Sequence, residues 1–247
     1  MWSLGRLTFH LYGFLIGLGV LVGAGVSARM AKLVELKTDE IWNGLLWVVG
    51  GGMIGARLYH VVDYWGYYSR NLVEIAAVWQ GGLGIFGGIL GGMLGLWVYT
   101  RKKEIFLKML DLVAFGLPIG QAIGRWGNFF NQELYGKPTS LPWGIYIRPE
   151  NRLLSVIEYE RFQPLFLYES LWCLGVFGAL HWLVKDKVVK LGKGRLFIFY
   201  LGFYGLGRFF LEFLRIESWK IYGINVAQAI SLGLVLLALW QRKQRWI

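Results

Sequence analysis

Long uninterrupted apolar stretches are the feature that most restricts the fold of this chain. Seven of them occur, at about 7–29, 42–62, 76–99, 106–125, 165–184, 194–214 and 224–240. Each is long enough to cross the ~30 Å hydrocarbon core of a bilayer as a helix. With 247 residues, 56% hydrophobic and 17% charged, the chain is too apolar for a soluble domain and too short for several membrane domains. The sequence therefore predicts an all-α integral membrane protein of about seven transmembrane helices, with residues 1–247 forming a single transmembrane domain.

The distribution of basic residues predicts the orientation of these helices. One set of connecting segments, near residues 29–37, 101–108, 185–195 and 242–245, holds fifteen Lys and Arg residues, and the other set holds eight. Because basic loops stay in the cytoplasm, the N-terminus is expected outside and the C-terminus in the cytoplasm. The same rule accounts for the net charge of +11, so no nucleic-acid partner is expected. The polar, proline-containing segment 126–164 between the fourth and fifth helices is expected to form a small extracytoplasmic head.

Several familiar patterns carry little functional weight here. The segment Gly82 to Gly87 matches GxGxxG, but it lies in an apolar span with no preceding strand, which disfavours a dinucleotide site. Glycines at 84, 88 and 92, and at 87, 91 and 95, recur every fourth residue, which predicts close packing against another helix. The single cysteine, Cys173, and three scattered histidines predict neither a disulfide nor a metal site.

Three arginines inside the spans require an explanation. Arg57, Arg125 and Arg208 each cost about 2.5–3.5 kcal/mol to insert at mid-membrane depth, so they need partners, a hydrated cavity or a ligand. The predicted topology places all three in the outer halves of different helices, together with Tyr12 and Glu169. These side chains are therefore expected at one level near the outer face.

The acidic residues at this level leave two explanations open. Arg208, Glu212 and Arg215 are spaced i, i+4 and i+7, so they share one helix face and can pair with one another. In one explanation the arginines pair with Glu169 and Glu212 only to lock helices together. In the other, the arginines in excess of these two acids bind the phosphate of an outer-leaflet phospholipid, because guanidinium groups bind phosphate oxygens in pairs.

The segment Gly124-Arg-Trp-Gly-Asn-Phe-Phe-Asn-Gln-Glu-Leu-Tyr-Gly136 closely resembles the signature of the prolipoprotein diacylglyceryl transferases, G-R-x-G-N-F-x-N-x-E-x-x-G. Similar patterns occur along essentially the whole chain. They are Tyr12-Gly13, Gly55-Ala-Arg57, Trp79 to Gly82, Gln163-Pro164 with Leu167 to Glu169, Tyr204-Gly205 leading to Arg208, Glu212 and Arg215, and Gln228 to Ser231. The resemblance implies seven helices with an outside N-terminus, which agrees with the topology predicted from charge.

The resemblance also implies a reaction. Enzymes of this family transfer the diacylglyceryl group of phosphatidylglycerol to the lipobox cysteine thiol of a prolipoprotein signal peptide, which forms a thioether and releases glycerol phosphate. It implies a multi-pass protein of the bacterial cytoplasmic (inner) membrane with its active site near the outer leaflet, surrounded by membrane lipids. Neither a metal nor an organic cofactor is expected, because the phosphodiester is already an activated leaving group.

The resemblance also implies which positions of this chain correspond to site residues of the family. Arg125 and Arg208 are expected to be catalytic, since they can hold the departing phosphate as charge builds on its oxygens. The expected substrate-binding positions, with Arg57 and Glu212 acting mainly as supporting partners, are Arg125, Tyr12, Asn128, Asn131, Glu133, Gly136, Arg57 and Glu212.

One departure from the family pattern concerns the general base. Many members have a histidine before the paired glycines of the third helix, whereas this chain has Phe86 before Gly87 and Gly88. The acceptor thiol is expected to lose its proton to water, to phosphate, or to a residue such as His60, with His10 as another histidine on the outer side.

Three other functions are compatible with an apolar helical bundle that contains buried arginines. A transporter binding a phosphorylated substrate would usually show inverted repeats, which the sequence lacks. A retinal protein would need a Schiff-base lysine, and the stretch from Ile224 to Trp240 has none. A non-catalytic membrane protein that only binds an anionic phospholipid stays an alternative, because of Phe86. Covalent lipid on a lipobox peptide would separate the enzyme from these alternatives.

Overall fold

In a computed structural model the described residues are 2–4, 7–9 and 11–243, without the side chains of 2–4, 7–9, 80 and 243. Arg6 and Arg245 of the charge count, and the candidate base His10, lie outside the described residues. The α-helices of the described part are α1 (Leu11–Met30), α2 (Thr38–Asp63), α3 (Trp65–Tyr68), α4 (Ile85–Thr100), α5 (Phe106–Asn131), α6 (Leu165–Lys185), α7 (Arg195–Leu211) and α8 (Val226–Lys243). The strands pair as three short antiparallel hairpins, β1 (Trp2–Leu4) with β2 (Leu7–Phe9), β3 (Ile145–Tyr146) with β4 (Arg161–Phe162), and β5 (Lys220–Ile221) with β6 (Ile224–Asn225).

The helices indicate a multi-pass membrane protein. Within the described residues, five are long and apolar enough to cross a bilayer: Leu11–Val34, Thr38–Asp63, Phe106–Asn131, Leu165–Lys185 and Arg195–Leu214. Two of these ranges include a 3₁₀ turn that continues α1 or α7. Helices α4 and α8 are shorter. The all-α membrane class is thus supported, while the number of seven spans and their orientation stay predictions.

Two predicted spans begin later than expected. The first helix starts at Leu11 rather than at residue 7, because β1 and β2 form a hairpin ahead of it. The third starts at Ile85 rather than at residue 76, since Gly81 and Gly82 have φ values of 87° and 71°, which no regular right-handed helix accepts. The residues before these glycines form two short 3₁₀ segments, Leu72–Ala76 and Val78–Gln80.

Helix α5 is longer than its apolar stretch, because it continues through the signature segment to Asn131. Gln132 then leaves the helix with a φ of 53°. The polar segment that follows begins at 132 rather than at 126. Its small core consists of Tyr135, Ile147, Val156 and Phe162.

The chain divides into two compact units, residues 1–30 with 110–247, and residues 31–109. In the first unit α1 packs closely on α5 through glycines: an added Cβ at Gly23 would meet the carbonyl oxygen of Gly116, and one at Gly19 that of Gly120. Ser27 in α1 donates a hydrogen bond to the carbonyl oxygen of Leu112 (2.9 Å). The helix that carries the signature segment is therefore held against α1 along several turns.

A buried carboxylate fixes the start of α7 in the same unit. Asp111 of α5 has no exposed surface, and both of its oxygens accept backbone N–H groups. Oδ2 accepts from residues 192 (2.7 Å), 193 (3.1 Å) and 194 (3.1 Å), and Oδ1 accepts from residues 196 (2.8 Å) and 197 (3.3 Å). Since the first N–H groups of a helix have no partner within the helix, Asp111 supplies a cap from a distant part of the chain.

In the second unit the glycine pattern packs as predicted. An added Cβ at Gly55 of α2 would meet the carbonyl oxygen of Gly87, and one at Gly51 would meet that of Gly91, both in α4. The two backbones lie in contact without intervening side chains, so the close-packing interpretation of the glycine repeat is confirmed.

Candidate active site

A salt-bridge network lies between the ends of α5, α6 and α7. Arg125 of α5 pairs through Nε with Oε2 of Glu169 in α6. The Nη1 of Arg125 also donates to Oδ1 of the buried Asn128 (3.4 Å), one helical turn further on. Asn128 in turn donates from Nδ2 to Oε1 of Glu133 (2.8 Å). The signature residues 125, 128 and 133 therefore form one connected chain of polar contacts.

The network continues through Glu169 into α7. Arg208 lies 3.8 Å from Oε1 of Glu169 through Nη1, and 2.6 Å from Oε2 of Glu212 through Nη2. Arg215 approaches the same Glu212 oxygen at 4.0 Å. Asn225 donates to the other Glu212 oxygen at 3.2 Å. Three guanidinium groups thus share the two carboxylates that they contact directly, whereas the third acid of the network, Glu133, contacts Asn128 instead.

The cations of this network are more exposed than the anions. The side chains of Arg125, Arg208 and Arg215 are 27%, 18% and 24% exposed, whereas those of Glu169 and Glu212 are 12% and 1% exposed. Burial and repulsion by Arg208 lower the pKa of Arg215 from its ordinary value. A guanidinium nevertheless stays protonated at neutral pH, because its ordinary pKa is far above 7. An approaching anion therefore meets guanidinium groups before it meets the less exposed carboxylates.

The space enclosed behind the arginines is small. A cavity of about 10 Å³, lined by residues that include Glu169, Cys173, Tyr204 and Arg208, has room for about one water molecule and not for a phosphate. An anion can approach the guanidinium groups from their partly exposed side. Deeper binding requires the pairs with Glu169 or Glu212 to open.

The other predicted residues of the first unit lie at different distances from the network. Tyr12 packs its ring against Gly127, where an added Cβ would lie 2.5 Å from Tyr12 Cδ2. Gly136 donates its N–H to the Gln163 carbonyl oxygen (2.9 Å) and is paired as an isolated bridge with Arg215. Asn131 is exposed at the end of α5.

Arg57 and His60 belong to the second unit. The Arg57 guanidinium donates only to backbone carbonyl oxygens among the hydrogen bonds of the described residues, namely those of Ile75 (2.8 Å), Gly81 (2.8 Å), Gly82 (3.2 Å) and Glu74. It also lies 5.1 Å from the ring of Tyr68. Arg57 therefore holds the irregular segment before α4. His60 packs between aromatic rings, 4.6 Å from that of Tyr64 and 5.9 Å from that of Tyr68.

Three residues of the network, Glu169, Arg215 and Asn225, are not among the predicted site residues, and Glu169 is the central one. It bridges Arg125 and Arg208, so it connects α5 to α7 through α6. The sequence did contain an indication, because it is the only acidic residue within α6. Asp111 was also missed, since an isolated acid in an apolar stretch does not reveal which N–H groups it will cap.

The known proteins that are similar to this chain belong to the same family that the signature segment resembles. The family model described as prolipoprotein diacylglyceryl transferase matches residues 1–242. A phosphatidylglycerol–prolipoprotein diacylglyceryl transferase of Acaryochloris marina is 42% identical over 233 residues, which is 94% of this chain and 85% of the relative. Enzymes of the same name from Fervidobacterium nodosum and Clostridioides difficile are 39% and 40% identical, over 97% and 90% of this chain and 82% and 84% of theirs. The chain therefore belongs to the prolipoprotein diacylglyceryl transferase family.

Proposed function

We propose that this protein transfers the diacylglyceryl group of phosphatidylglycerol to the lipobox cysteine of a prolipoprotein. The names of its relatives specify this donor and this class of acceptor. In the reaction the acceptor sulfur forms a bond to the glycerol carbon that carries the phosphate. The C–O bond to phosphate breaks, its electron pair stays on the phosphate oxygen, and glycerol phosphate leaves. The thiol proton passes to solvent or to a base.

Two requirements of this displacement match the arginine network. The acceptor must be a thiolate, since a free thiol with a pKa of about 8.5 is a weak nucleophile. The departing phosphate must also be stabilised as its charge grows. A site in which three partly exposed guanidinium groups directly contact only two carboxylates favours both anions. This arrangement, three arginines directly contacting two acids, is the observation that carries the proposal.

Proposed roles follow for most residues of the network and for the predicted residues outside it. Arg125 and Arg208 bind the phosphate oxygens, and Glu169 and Glu212 orient these arginines from behind. Asn128 and Glu133 fix the Arg125 side chain or contact the lipid headgroup, with Asn131 at the exposed edge. Tyr12 lines the pocket beside the signature helix. Gly136 shapes the backbone beside Arg215, and Arg57 holds the segment before α4 in the second unit.

The proposed setting is the bacterial cytoplasmic membrane, with the arginine network near the outer leaflet. Seven spans in a single transmembrane domain, an outside N-terminus and an extracytoplasmic head stay part of this proposal. The candidates for the proton acceptor are water, phosphate and His60. Phe86, whose ring lies 6.1 Å from that of Tyr59, supplies no basic group at the position where many members have a histidine.

The test compares Arg125→Ala and Arg125→Lys in membranes supplied with phosphatidylglycerol and a lipobox peptide. The alanine variant is expected to lose about 10²–10³-fold in rate, as enzymes do when a group that stabilises developing charge is removed. The lysine variant keeps the charge but cannot contact Glu169 and Asn128 at once, so we expect a loss of about tenfold or more.

The matched control is Arg148→Lys, the same replacement at an exposed position of the head. It should leave transfer unchanged. The readout is covalent lipid on the peptide, measured by mass spectrometry, which a lipid-binding protein without activity would not produce. Near-wild-type rates for both Arg125 variants would remove Arg125 from the mechanism.

A further inference from the structure

The second unit carries an apolar groove that plays no part in the proposed reaction. It has a volume of about 470 Å³ and runs between α2 and α4. Glycines form its floor, because Gly51, Gly55 and Gly91 are the residues through which the two backbones touch. Large side chains form its walls and keep much of their surface exposed: Leu46 is 71%, Ile54 64% and Leu94 58% exposed.

The length of the groove fits a lipid chain. Along α2 the lining extends from Leu46 to Leu58, which is ~18 Å at ~1.5 Å per residue. One leaflet contributes about half of the ~30 Å hydrocarbon core. Along α2 the groove is therefore about as long as one leaflet is deep, which is the length available to an acyl chain.

Two basic residues directly follow α4, in the 3₁₀ turn Arg101–Lys103. The lining residues of α4 include Gly91, Leu94 and Val98, which recur at i, i+3 and i+7. Continuing this spacing past the end of α4 leads to Arg101 and Lys102, three and four residues after Val98. Both are exposed, and Arg101 lies 5.2 Å from the ring of Trp97.

Neighbouring charges leave these two cations available. Lys103 is already paired with Glu40 at 2.7 Å and hydrogen-bonds Tyr99 at 3.0 Å. Asp39 is in the first turn of α2, seven residues before Leu46, and offsets one charge. The end of the groove thus keeps a positive excess beside an aromatic ring, which is the composition that attracts anionic headgroups at a membrane surface.

From this combination we infer that the groove between α2 and α4 binds one anionic phospholipid that is not the substrate. One acyl chain lies over the glycine floor, and the phosphate contacts Arg101 and Lys102. The site is separate from the arginine network in sequence and in composition, because its lining has no charged side chain and its cations lie at the opposite end of α4 from the segment that Arg57 holds.

Gly50 offers a way to fill the groove without disturbing the helix contact. It lines the groove, and an added Cβ there meets nothing within 4 Å, whereas Gly51 and Gly55 would collide with α4. Gly50→Leu therefore occupies the acyl site. The matched control is Gly175→Leu in α6, where an added Cβ also meets nothing within 4 Å. For the headgroup, Arg101→Gln with Lys102→Gln is compared with Lys185→Gln with Lys190→Gln, which are exposed basic residues elsewhere.

The experiment measures motionally restricted lipid by electron paramagnetic resonance. The full chain is placed in phosphatidylcholine bilayers with phosphatidic acid that carries a nitroxide near its chain terminus, and with spin-labelled phosphatidylcholine as the reference. Gly50→Leu should release about one restricted lipid per chain, and the double Gln variant should lower the preference for phosphatidic acid by about three- to tenfold. Both controls should match wild type.

Transfer activity is measured in parallel and should stay at the wild-type level in all four variants, because none alters the arginine network. Failure of the transferase proposal therefore leaves this test intact. If neither the leucine nor the double Gln variant changes lipid restriction or selectivity, the inference is wrong. If Gly50→Leu fails to fold, the double Gln variant decides alone. A dimeric wild type that Gly50→Leu converts to a monomer would identify the groove as an interface between copies and would also overturn the lipid site.

Discussion

Asp111 provides the sharpest stability prediction. Its two carboxylate oxygens accept five backbone N–H groups at the start of α7, at distances from 2.7 to 3.3 Å, and the residue has no exposed surface. Asp111→Asn keeps the shape of the side chain but replaces one acceptor oxygen by an NH₂ group. That group faces N–H donors and cannot accept from them.

The size of the effect follows from which donors lose a partner. If the amide oxygen keeps the three N–H groups of residues 192–194, then the N–H groups of Leu196 and Phe197 face the NH₂ group. A buried donor without a partner costs about 1–3 kcal/mol. Relief of the cost of burying a carboxylate offsets part of this, so we expect a net destabilisation of about 2–4 kcal/mol. Such a loss lowers the unfolding temperature of a chain of this size by about 5–15 °C.

The assay uses the single cysteine of the chain. Cys173 is 3% exposed, so a thiol-reactive fluorescent dye labels it only when the surrounding helices open. The temperature at which labelling occurs is compared between wild type, Asp111→Asn and the control Asp63→Asn, where the carboxylate is exposed. An unfolding temperature for Asp111→Asn that equals that of the control would refute the reasoning that the five N–H groups depend on this carboxylate.

Two further changes test the packing of histidine and glycine. His60→Phe keeps the ring contacts with Tyr64 and Tyr68, so transfer should fall by less than about tenfold, whereas a loss of 10²–10⁴-fold would identify His60 as a general base. Gly116→Ala should destabilise the protein by about 1–3 kcal/mol in the same dye assay, because its Cβ would meet the Gly23 carbonyl oxygen and Ser27 Oγ. The control Gly124→Ala, whose Cβ would lie 3.4 Å from the flexible Ile16 Cδ1, should cost less; equal losses would contradict the close contact of α1 with α5.

The sequence predicts helices well because the hydrophobic pattern alone determines most of them. Every predicted span contains a helix, and the fourth continues through the signature to Asn131. The errors occur where local backbone geometry overrides apolar composition. The stretch from 76 is apolar enough for a span, yet the positive φ values at Gly81 and Gly82 delay the helix to Ile85. Turns of this kind cannot be predicted from the apolar composition of the stretch.

The candidate site was predictable at its arginines and less so at their partners. An arginine in an apolar stretch is conspicuous, and Arg125 and Arg208 do lie in one network. Arg57 was grouped with them for the same reason, but backbone carbonyl groups hold it. Contacts of a side chain with backbone carbonyl groups cannot be predicted from the pattern of side chains. Glu169 bridges two helices, and a bridge of this kind depends on tertiary packing rather than on spacing along one helix.

The backbone pairing at Gly136 has a mechanical consequence. The N–H groups of Gly136 and Lys137 bond to the carbonyl oxygens of Gln163 (2.9 Å) and Leu214 (2.8 Å), directly beside Arg215. The segment after α5 and the end of α7 are thus joined by main-chain hydrogen bonds. A displacement of the segment after α5 is therefore transmitted to the end of α7. Replacing neighbouring side chains leaves this linkage intact. A methyl group at position 136 would strain it, because it would lie 2.7 Å from Gln163 Cβ and 3.0 Å from the Leu214 oxygen.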